Sequence, residues 1–325
     1  MRRRWLIGTV ALALLLAACG GDDEGGGGAG GAEQQYKLTL IQGVKGDQFY
    51  VTMQCGAQEA AKAAGATLDV TAPDEFDASL QTPVVNAVVA KKPDAILVAP
   101  TDTKAMIPPL TQAKAAGIKL VFVDTTTENG AELAESEIAS DNEEGGREAA
   151  RALAELTGGK GSVLVINVKP GISTTDARAK GFEEEIKNTP GLKYIGQEYS
   201  NDKPEVAASK ATAALAAHPD LVGIFGTNLF SAEGAATGLR SAGASKVKIV
   251  GFDAGPKQVE DLEQGVVQAL IAQKPADIGK AGVEQAIAAL KGEPTQKKIG
   301  TGFVVVTKEN MNDPDVKPFL YKSSC

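Results

Sequence analysis

From Tyr36 onward, short apolar runs alternate with alanine-rich stretches of helical character, and this alternation constrains the fold more than any other feature of the chain. Runs such as 120–123 (LVFV) contain no polar alternation, which is typical of strands covered by helices on both faces. A strict strand–helix order implies parallel sheets with right-handed crossovers. We therefore predict an α/β fold with two doubly wound, Rossmann-like lobes built on parallel sheets.

The pattern places the individual elements as follows. The predicted strands are 38–41, 66–70, 95–99, 120–123, 163–167, 194–198, 221–225 and 247–252. The predicted helices are 49–64, 80–90, 106–116, 143–156, 177–187, 206–217 and 232–242. Gly65 and Gly117 directly follow two of these helices, as expected for a glycine that ends a helix.

Two segments of the chain resemble each other. Residues 93–102 (PDAILVAPTD) match 219–228 (PDLVGIFGTN), and each copy is followed by a helix and a strand that ends in aspartate, Asp124 or Asp253. All strand–helix–strand units look alike to some extent, but matched polar residues at successive strand ends exceed that expectation. Open α/β sheets bind ligands at the carboxyl ends of their strands, so these residues indicate a site.

The amino terminus predicts export. Arginines at 2–4 precede the apolar run 5–18, which is shorter than the roughly 20 residues of a membrane-spanning helix and fits a signal peptide, 1–18. The run ends LAAC, which resembles a bacterial lipobox, so Cys19 is predicted to carry lipid; an ordinary signal end with a chance cysteine is the alternative. The glycine-rich segment 19–35 then forms a tether. We expect a protein anchored to the outer face of the cell membrane, or periplasmic.

Composition excludes several functions. With 33 basic and 41 acidic side chains in 325 residues, the chain has no basic excess for binding nucleic acid. The single histidine, His218, rules out multi-histidine metal sites, and the three cysteines form no zinc pattern. No nucleophile stands beside a base. We therefore predict a binding protein with no catalytic residues, no metal and no cofactor.

Six short segments carry a family resemblance. They are 46–50 (GDQFY), 138–142 (IASDN), 178–182 (RAKGF), 227–228 (TN), 250–253 (VGFD) and 271–273 (IAQ). In order and spacing they resemble those of the ribose-type periplasmic sugar-binding proteins, the substrate-binding subunits of ABC importers, and the resemblance runs from about Tyr36 to Lys308.

The resemblance implies two lobes that are joined by a hinge of three crossovers, near Ser140, Gln273 and Gly302, and that close on one small polyol. The implied N-terminal lobe comprises 36–140 plus 274–302. The implied C-terminal lobe comprises 141–273 plus 303–311, and a tail of 312–325 follows it.

A sugar presents hydroxyls that both donate and accept, and an apolar ring face, so its binder needs carboxylates, amides, a guanidinium and aromatic rings. The residues that the resemblance and this chemistry assign to the ligand are Asp47, Phe49, Tyr50, Asp124, Thr125, Arg178, Asn201, Asn228, Phe230, Asp253 and Gln273. Without the resemblance, Arg178 would be interpreted as a surface charge and Asn228 as a turn residue.

Four of these positions suggest a retuned cleft. Compared with the ribose binders, Asp47 replaces a usual asparagine, Thr125 an arginine and Asn201 a phenylalanine. Phe230, two residues after Asn228, is expected to supply the missing stacking face. We therefore expect a ligand other than ribose.

The expected function is the capture of a small sugar or polyol between the lobes and its delivery to the permease and ATPase subunits of an ABC transporter, by a monomer. The alternative is a ligand sensor for chemotaxis or autoinducer signalling, since receptors and the effector domain of lactose-repressor-type regulators share this fold. A repressor would need an N-terminal helix-turn-helix, which residues 1–35 do not offer. An enzyme such as a glycosidase would turn its sugar over.

If Cys19 carries the lipid of an exported protein, two cysteines remain, Cys55 and Cys325. Exported thiols tend to pair, so we predict that the tail returns to the N-terminal lobe and closes a disulfide between them. Two free thiols are the alternative, and a Cα separation well above about 7 Å would exclude the bond.

Overall fold

Two six-stranded sheets divide the chain between two lobes. A computed structural model describes residues 35–325. The predicted signal peptide, the predicted lipid attachment at Cys19 and nearly all of the predicted tether lie outside the described residues.

The strands are β1 (Lys37–Ile41), β2 (Thr67–Thr71), β3 (Ala95–Val98), β4 (Lys119–Val123), β5 (Ser136–Ser140), β6 (Gly161–Asn167), β7 (Leu192–Tyr199), β8 (Leu221–Gly226), β9 (Lys248–Phe252), β10 (Ala269–Ala272), β11 (Lys298–Thr301) and β12 (Val304–Val306). The helices are α1 (Gln48–Ala63), α2 (Ala78–Lys91), α3 (Ile107–Ala115), α4 (Gly130–Leu133), α5 (Asn142–Thr157), α6 (Ser173–Ile186), α7 (Pro204–Ala217), α8 (Leu229–Ser241), α9 (Pro256–Glu263) and α10 (Pro275–Lys291). A short 3₁₀ turn spans Lys317–Phe319.

The first sheet has the strand order β11-β5-β4-β3-β1-β2, and all its pairings are parallel. The second has the order β12-β10-β9-β8-β6-β7 and is parallel except for β12, which runs antiparallel to β10. The predicted doubly wound, parallel-sheet architecture is therefore confirmed, with the edge strand β12 as the exception. Only residues 302–303 separate β11 from β12. The chain therefore passes directly from the first sheet to the edge of the second, without the helical crossover that a parallel pairing requires.

The chain passes between the sheets three times, from β5 to α5, from β10 to α10 and from β11 to β12. The lobe boundaries at 140, 273 and 302 stay a prediction; the passages between the sheets lie at residues 141, 273–274 and 302–303. Strands at the centre of both sheets are apolar on both faces, and β3 is buried throughout, because helices cover each side.

The predicted elements agree with the structure to within a few residues, and the largest shift is at α6, which starts at Ser173 instead of Ala177. The strands β10, β11 and β12 are only three or four residues long, too short to show a periodic pattern. The longer α10 has the same alanine-rich character as the predicted helices but was not among them. No helix within 35–325 is both long enough and apolar enough to span a bilayer.

The C-terminal tail folds back onto α1, where Cys325 and Cys55 form a disulfide. The two Cα atoms are 5.3 Å apart, within the range that a disulfide requires. The bond closes a covalent loop of sequence separation 270, which includes every described helix after α1.

Candidate ligand-binding site

A cavity lies between the two lobes, at the carboxyl ends of their strands. It is lined by Asp47, Phe49, Tyr50, Phe76, Asp124, Val168, Ile172, Thr174, Thr175, Arg178, Asp202, Asn228, Asp253 and Gln273. Eight of the eleven residues predicted from sequence are among them: Asp47, Phe49, Tyr50, Asp124, Arg178, Asn228, Asp253 and Gln273. The lining therefore draws on both lobes and on the crossover after β10.

The two repeated aspartates occupy equivalent positions in the two lobes. Asp124 follows β4 and Asp253 follows β9, and both adopt left-handed backbone conformations, with φ of 67° and 78°. The backbone N–H of each donates to a neighbouring strand, to the carbonyl oxygens of Ile138 and Ile271 respectively. Aspartate tolerates this conformation better than most residues, and the turn directs each carboxylate toward the cavity.

The carboxylate of Asp253 is the most heavily bonded group of the site. Its Oδ2 accepts from the Leu229 N–H at 2.9 Å, and its Oδ1 accepts from Gln273 Nε2 at 2.7 Å and from the Tyr321 hydroxyl at 2.8 Å. Gln273 thereby presents its Oε1, which is buried and has no hydrogen-bond partner among residues 35–325. An acceptor left unpaired beside a cavity calls for a donor on the ligand, such as a hydroxyl.

Arg178 is held in place by groups of the protein itself. Its Nε donates to Asn142 Oδ1 at 2.8 Å, its Nη1 donates to the carbonyl of Thr227 at 2.9 Å, and its guanidinium stacks 3.7 Å above the ring of Phe252. The side chain is 3% exposed. Within the described chain, Nη2 makes no hydrogen bond, so its two N–H groups remain to bind a ligand oxygen.

The backbone that carries Arg178 lies unusually close to α5. A Cβ at Gly146 would fall 2.0 Å from the Arg178 carbonyl oxygen, and a Cβ at Gly181 would fall 1.9 Å from that of Glu143. Only glycine allows the two helices to approach this closely. The contact fixes the position of Arg178, which lines the cavity, relative to α5.

The first lobe contributes the start of α1. The Asp47 carboxylate caps the helix by accepting the Phe49 N–H at 2.7 Å, and the Tyr50 hydroxyl donates to Asp124 Oδ2 at 2.8 Å. The rings of Phe49 and Tyr50 pack edge to face at 5.1 Å. The predicted aromatic pair is therefore both part of the core and part of the cavity wall.

Four carboxylates face one guanidinium across the cavity. Burial raises the pKa of Asp124 to about 6, although the nearby Arg178 charge opposes the rise. Burial raises the pKa of Asp202 to about 6 as well, opposed by a hydrogen bond from Asn228. The pKa of Asp47 is raised well above its usual value by burial and then by the charges of Asp253 and Asp202. Asp124 and Asp202 therefore take up protons at mildly acidic pH.

We expect Asp47→Asn to stabilise the ligand-free protein at pH 8 by on the order of 1 kcal/mol, because the amide oxygen still caps α1 while a buried charge is removed. A carboxyl whose folded pKa is raised binds more protons in the folded state, so its contribution to stability falls as pH rises through that pKa. The variant should therefore lose less stability between pH 5 and pH 8, measured by urea unfolding. The exposed Asp69→Asn is the control, and an unchanged pH dependence in Asp47→Asn would contradict the assignment.

Three predicted residues do not line the cavity. Thr125 is buried behind Asp124, and its hydroxyl has no partner among the described residues. Phe230 lies in the first turn of α8 and packs against the core. Asn201 is exposed, and the left-handed conformations of residues 201 and 202 place the next residue, Asp202, at the cavity instead.

Several cavity residues were missed by sequence reasoning. Asp202 accepts from Asn228 Nδ2 at 2.7 Å, while Asn228 Oδ1 caps α8 by accepting the Ser231 N–H at 3.1 Å. Phe76, in the loop before α2, is a third aromatic ring of the cavity lining, and no local sequence pattern predicts this position. Val168, Ile172, Thr174 and Thr175 follow β6, so the strand-end rule that identified Asp124 would have found this segment.

The two sheets, the three crossovers and the polar interlobe cavity define a two-lobed binding protein. Residues 38–294 match the family described as periplasmic binding protein domain, and the chain belongs to that family. The resemblance noted in the sequence and the two-lobed α/β fold are thereby confirmed.

Individual relatives support the same family and fold. An ABC transporter solute-binding protein from Agrobacterium vitis, solved with bound α-D-tagatopyranose, superposes with a TM-score of 0.87 at 45% identity, covering 89% of this chain and 100% of that one. A carbohydrate transporter solute-binding protein from Agrobacterium radiobacter, in complex with D-arabinose, has a TM-score of 0.84 at 29% identity, with 89% and 100% coverage. The ribose import binding protein of Bacillus subtilis is 27% identical over 277 residues, 85% of this chain and 89% of that protein. Since these are binding proteins of transporters, the expectation of a non-enzymatic protein is confirmed.

Proposed function

We propose that this protein is the sugar-binding subunit of an ABC importer and that it captures one small sugar in the cavity between its lobes. The observation that carries the proposal is the convergence of carboxylates from both lobes, Asp124 from one and Asp253 and Asp202 from the other, on a cavity that also contains a guanidinium and aromatic rings. This donor and acceptor set matches the hydroxyls and ring face of a sugar.

The sugars found in solved relatives favour a monosaccharide. Structural relatives were solved with α-D-tagatopyranose, D-arabinose, D-fucose and D-allose, so these sugars are the first to test.

Closure on the ligand would move the N-terminal lobe, 36–140 plus 274–302, against the C-terminal lobe, 141–273 plus 303–311. A bound sugar bonds to groups of both lobes only when they are close, and this differential contact shifts the hinge equilibrium toward the closed state. Two relatives, from Bacillus subtilis and Escherichia coli, are ribose import binding proteins by name, which favours delivery to a permease over sensing.

We expect one monosaccharide to stabilise the protein by about 2.7 kcal/mol at 100 times its dissociation constant. A thermal-shift screen of residues 35–325 against pentoses, hexoses and polyols, followed by titration calorimetry, measures this. Mass analysis of the recovered ligand should find it unchanged. No binding by any monosaccharide, or chemical turnover of the ligand, would refute the proposal.

Two further features belong to the proposal. Binding proteins of ABC importers work outside the cytoplasm, and we propose that a lipid on Cys19 anchors this one to the outer face of the membrane. In cell fractionation, the Cys19→Ala variant should no longer be found with the membrane.

We also propose that the protein is a monomer, because among the described residues Leu80 is the one large apolar side chain that is exposed, at 42%. Light scattering of the purified protein tests this.

A further inference from the structure

The C-terminal tail contacts both lobes through neighbouring residues. The Tyr321 N–H donates to the carbonyl of Ala254 at 3.0 Å, in the second lobe, and the Lys322 N–H donates to Thr52 Oγ1 at 2.8 Å, in α1 of the first lobe. Cys325 is then bonded covalently to Cys55 on the same helix. The tail therefore spans from one lobe to the other over very few residues.

The side chain of Tyr321 reaches the back of the ligand site. Its hydroxyl donates to Asp253 Oδ1 at 2.8 Å and accepts the Gln273 N–H at 3.3 Å. Its ring packs edge to face against Phe49 at 5.9 Å. All three partners line the cavity, while Tyr321 itself does not, so it touches the site from behind.

These contacts determine how Gln273 is presented. Asp253 Oδ1 accepts from both Gln273 Nε2 and the Tyr321 hydroxyl, and Tyr321 also holds the Gln273 backbone. Burial and the Asp253 charge raise the pKa of Tyr321, so its hydroxyl keeps the proton that it donates. The arrangement leaves Gln273 Oε1 as the buried acceptor without a protein partner in the described chain.

The tail also adds a covalent restraint on lobe separation. Four residues of extended chain span at most about 14 Å, and the disulfide adds a Cα–Cα distance of 5.3 Å. The Cα of Cys55 therefore stays within about 19 Å of the Cα of Tyr321, which is itself held to the second lobe at Ala254. The crossovers after β5, β10 and β11 are the other three links.

Building on the proposed sugar-binding function, we infer that Tyr321 is a positioning residue for the ligand site and that the tail, closed by the Cys55–Cys325 bond, is a fourth connection between the lobes. By limiting the open conformations, the tail lowers the conformational cost of closing on a ligand. Removing either part should therefore weaken sugar binding without altering a group that touches the sugar.

The first test is Tyr321→Phe, which keeps the ring packing and the disulfide. Calorimetry with α-D-tagatopyranose, or with whichever of D-arabinose, D-fucose and D-allose the wild type binds, should give a dissociation constant about tenfold higher than that of the wild type, as expected for the loss of one hydrogen bond to a charged group. Tyr36→Phe, which lies before β1 and away from the cavity, is the control and should bind as wild type does. Wild-type affinity in folded Tyr321→Phe would overturn the positioning role.

The second test is small-angle scattering of the ligand-free protein, residues 35–325, with and without Cys55→Ser/Cys325→Ser. The radius of gyration should increase in the double variant because more open conformations become accessible. An identical scattering curve would overturn the fourth connection. This measurement needs no ligand, so it remains decisive even if the wild type binds no sugar, an outcome that would refute the proposed function separately.

Discussion

Arg178→Ala should abolish the stabilisation that a bound sugar provides. Arg178 is the one cationic side chain that lines the described cavity, opposite four carboxylates, and its free Nη2 is the strongest donor available to the ligand. Loss of a charge-assisted pair of hydrogen bonds costs roughly 3 kcal/mol or more, a weakening of at least a hundredfold. Titration calorimetry with the sugar identified for the wild type measures the effect.

The same substitution should also lower the free energy of unfolding by about 2–3 kcal/mol, since it orphans the Thr227 carbonyl and uncovers the Phe252 ring. Arg178→Lys separates the two effects, because it keeps the charge but cannot reproduce the planar fork. We expect it to fold more stably than Arg178→Ala and still to bind at least tenfold more weakly than wild type. Arg151→Ala, on the exposed face of α5, is the matched control, and sugar binding that survives both Arg178 variants would show that the ligand lies elsewhere.

Cys55→Ser/Cys325→Ser should lower the free energy of unfolding by about 4–5 kcal/mol. The bond closes a loop of sequence separation 270, and in the chain-entropy description the restriction of the unfolded state increases with loop length. Urea unfolding of the oxidised wild type and of the double variant measures the difference.

Reduction of the wild type provides the internal control for that measurement. Wild type in excess reductant should unfold at the same urea concentration as the double variant, and the variant should not respond to reductant. A thiol titration of the denatured, unreduced residues 35–325 should find no free cysteine. Two titratable thiols would mean that Cys55 and Cys325 are not bonded in the isolated protein.

The match between sequence and structure is closest where a feature depends on contiguous residues. The left-handed aspartates after β4 and β9 are recognisable because each ends an apolar run, and the repeat of strand, helix and Asp shows that the two lobes share a topology. Open parallel sheets gather such strand ends at one edge, so Asp124, Asn228 and Asp253 could be assigned to the site.

The misplaced residues fail for a reason of geometry. Asn201 and Asp202 are adjacent polar residues in one turn, and only the backbone conformation decides which of them faces the cavity. Phe230 and Phe76 are both isolated aromatics near strand ends, and both pack against the core, yet only Phe76 also lines the cavity. A choice between neighbours in a turn depends on φ and ψ, which residue type restricts only weakly for Asn and Asp.

The sequence by itself determined the α/β class, the two lobes and the strand-end carboxylates, because periodicity and strand termination are encoded within short segments of chain. The tertiary structure alone decided that Arg178 is clamped by Asn142 and Thr227, and that Tyr321 bonds to Asp253 across 68 residues of sequence. Such contacts join segments that are distant in the chain, and they follow from how the helices pack and where the tail is tied, which no local pattern specifies.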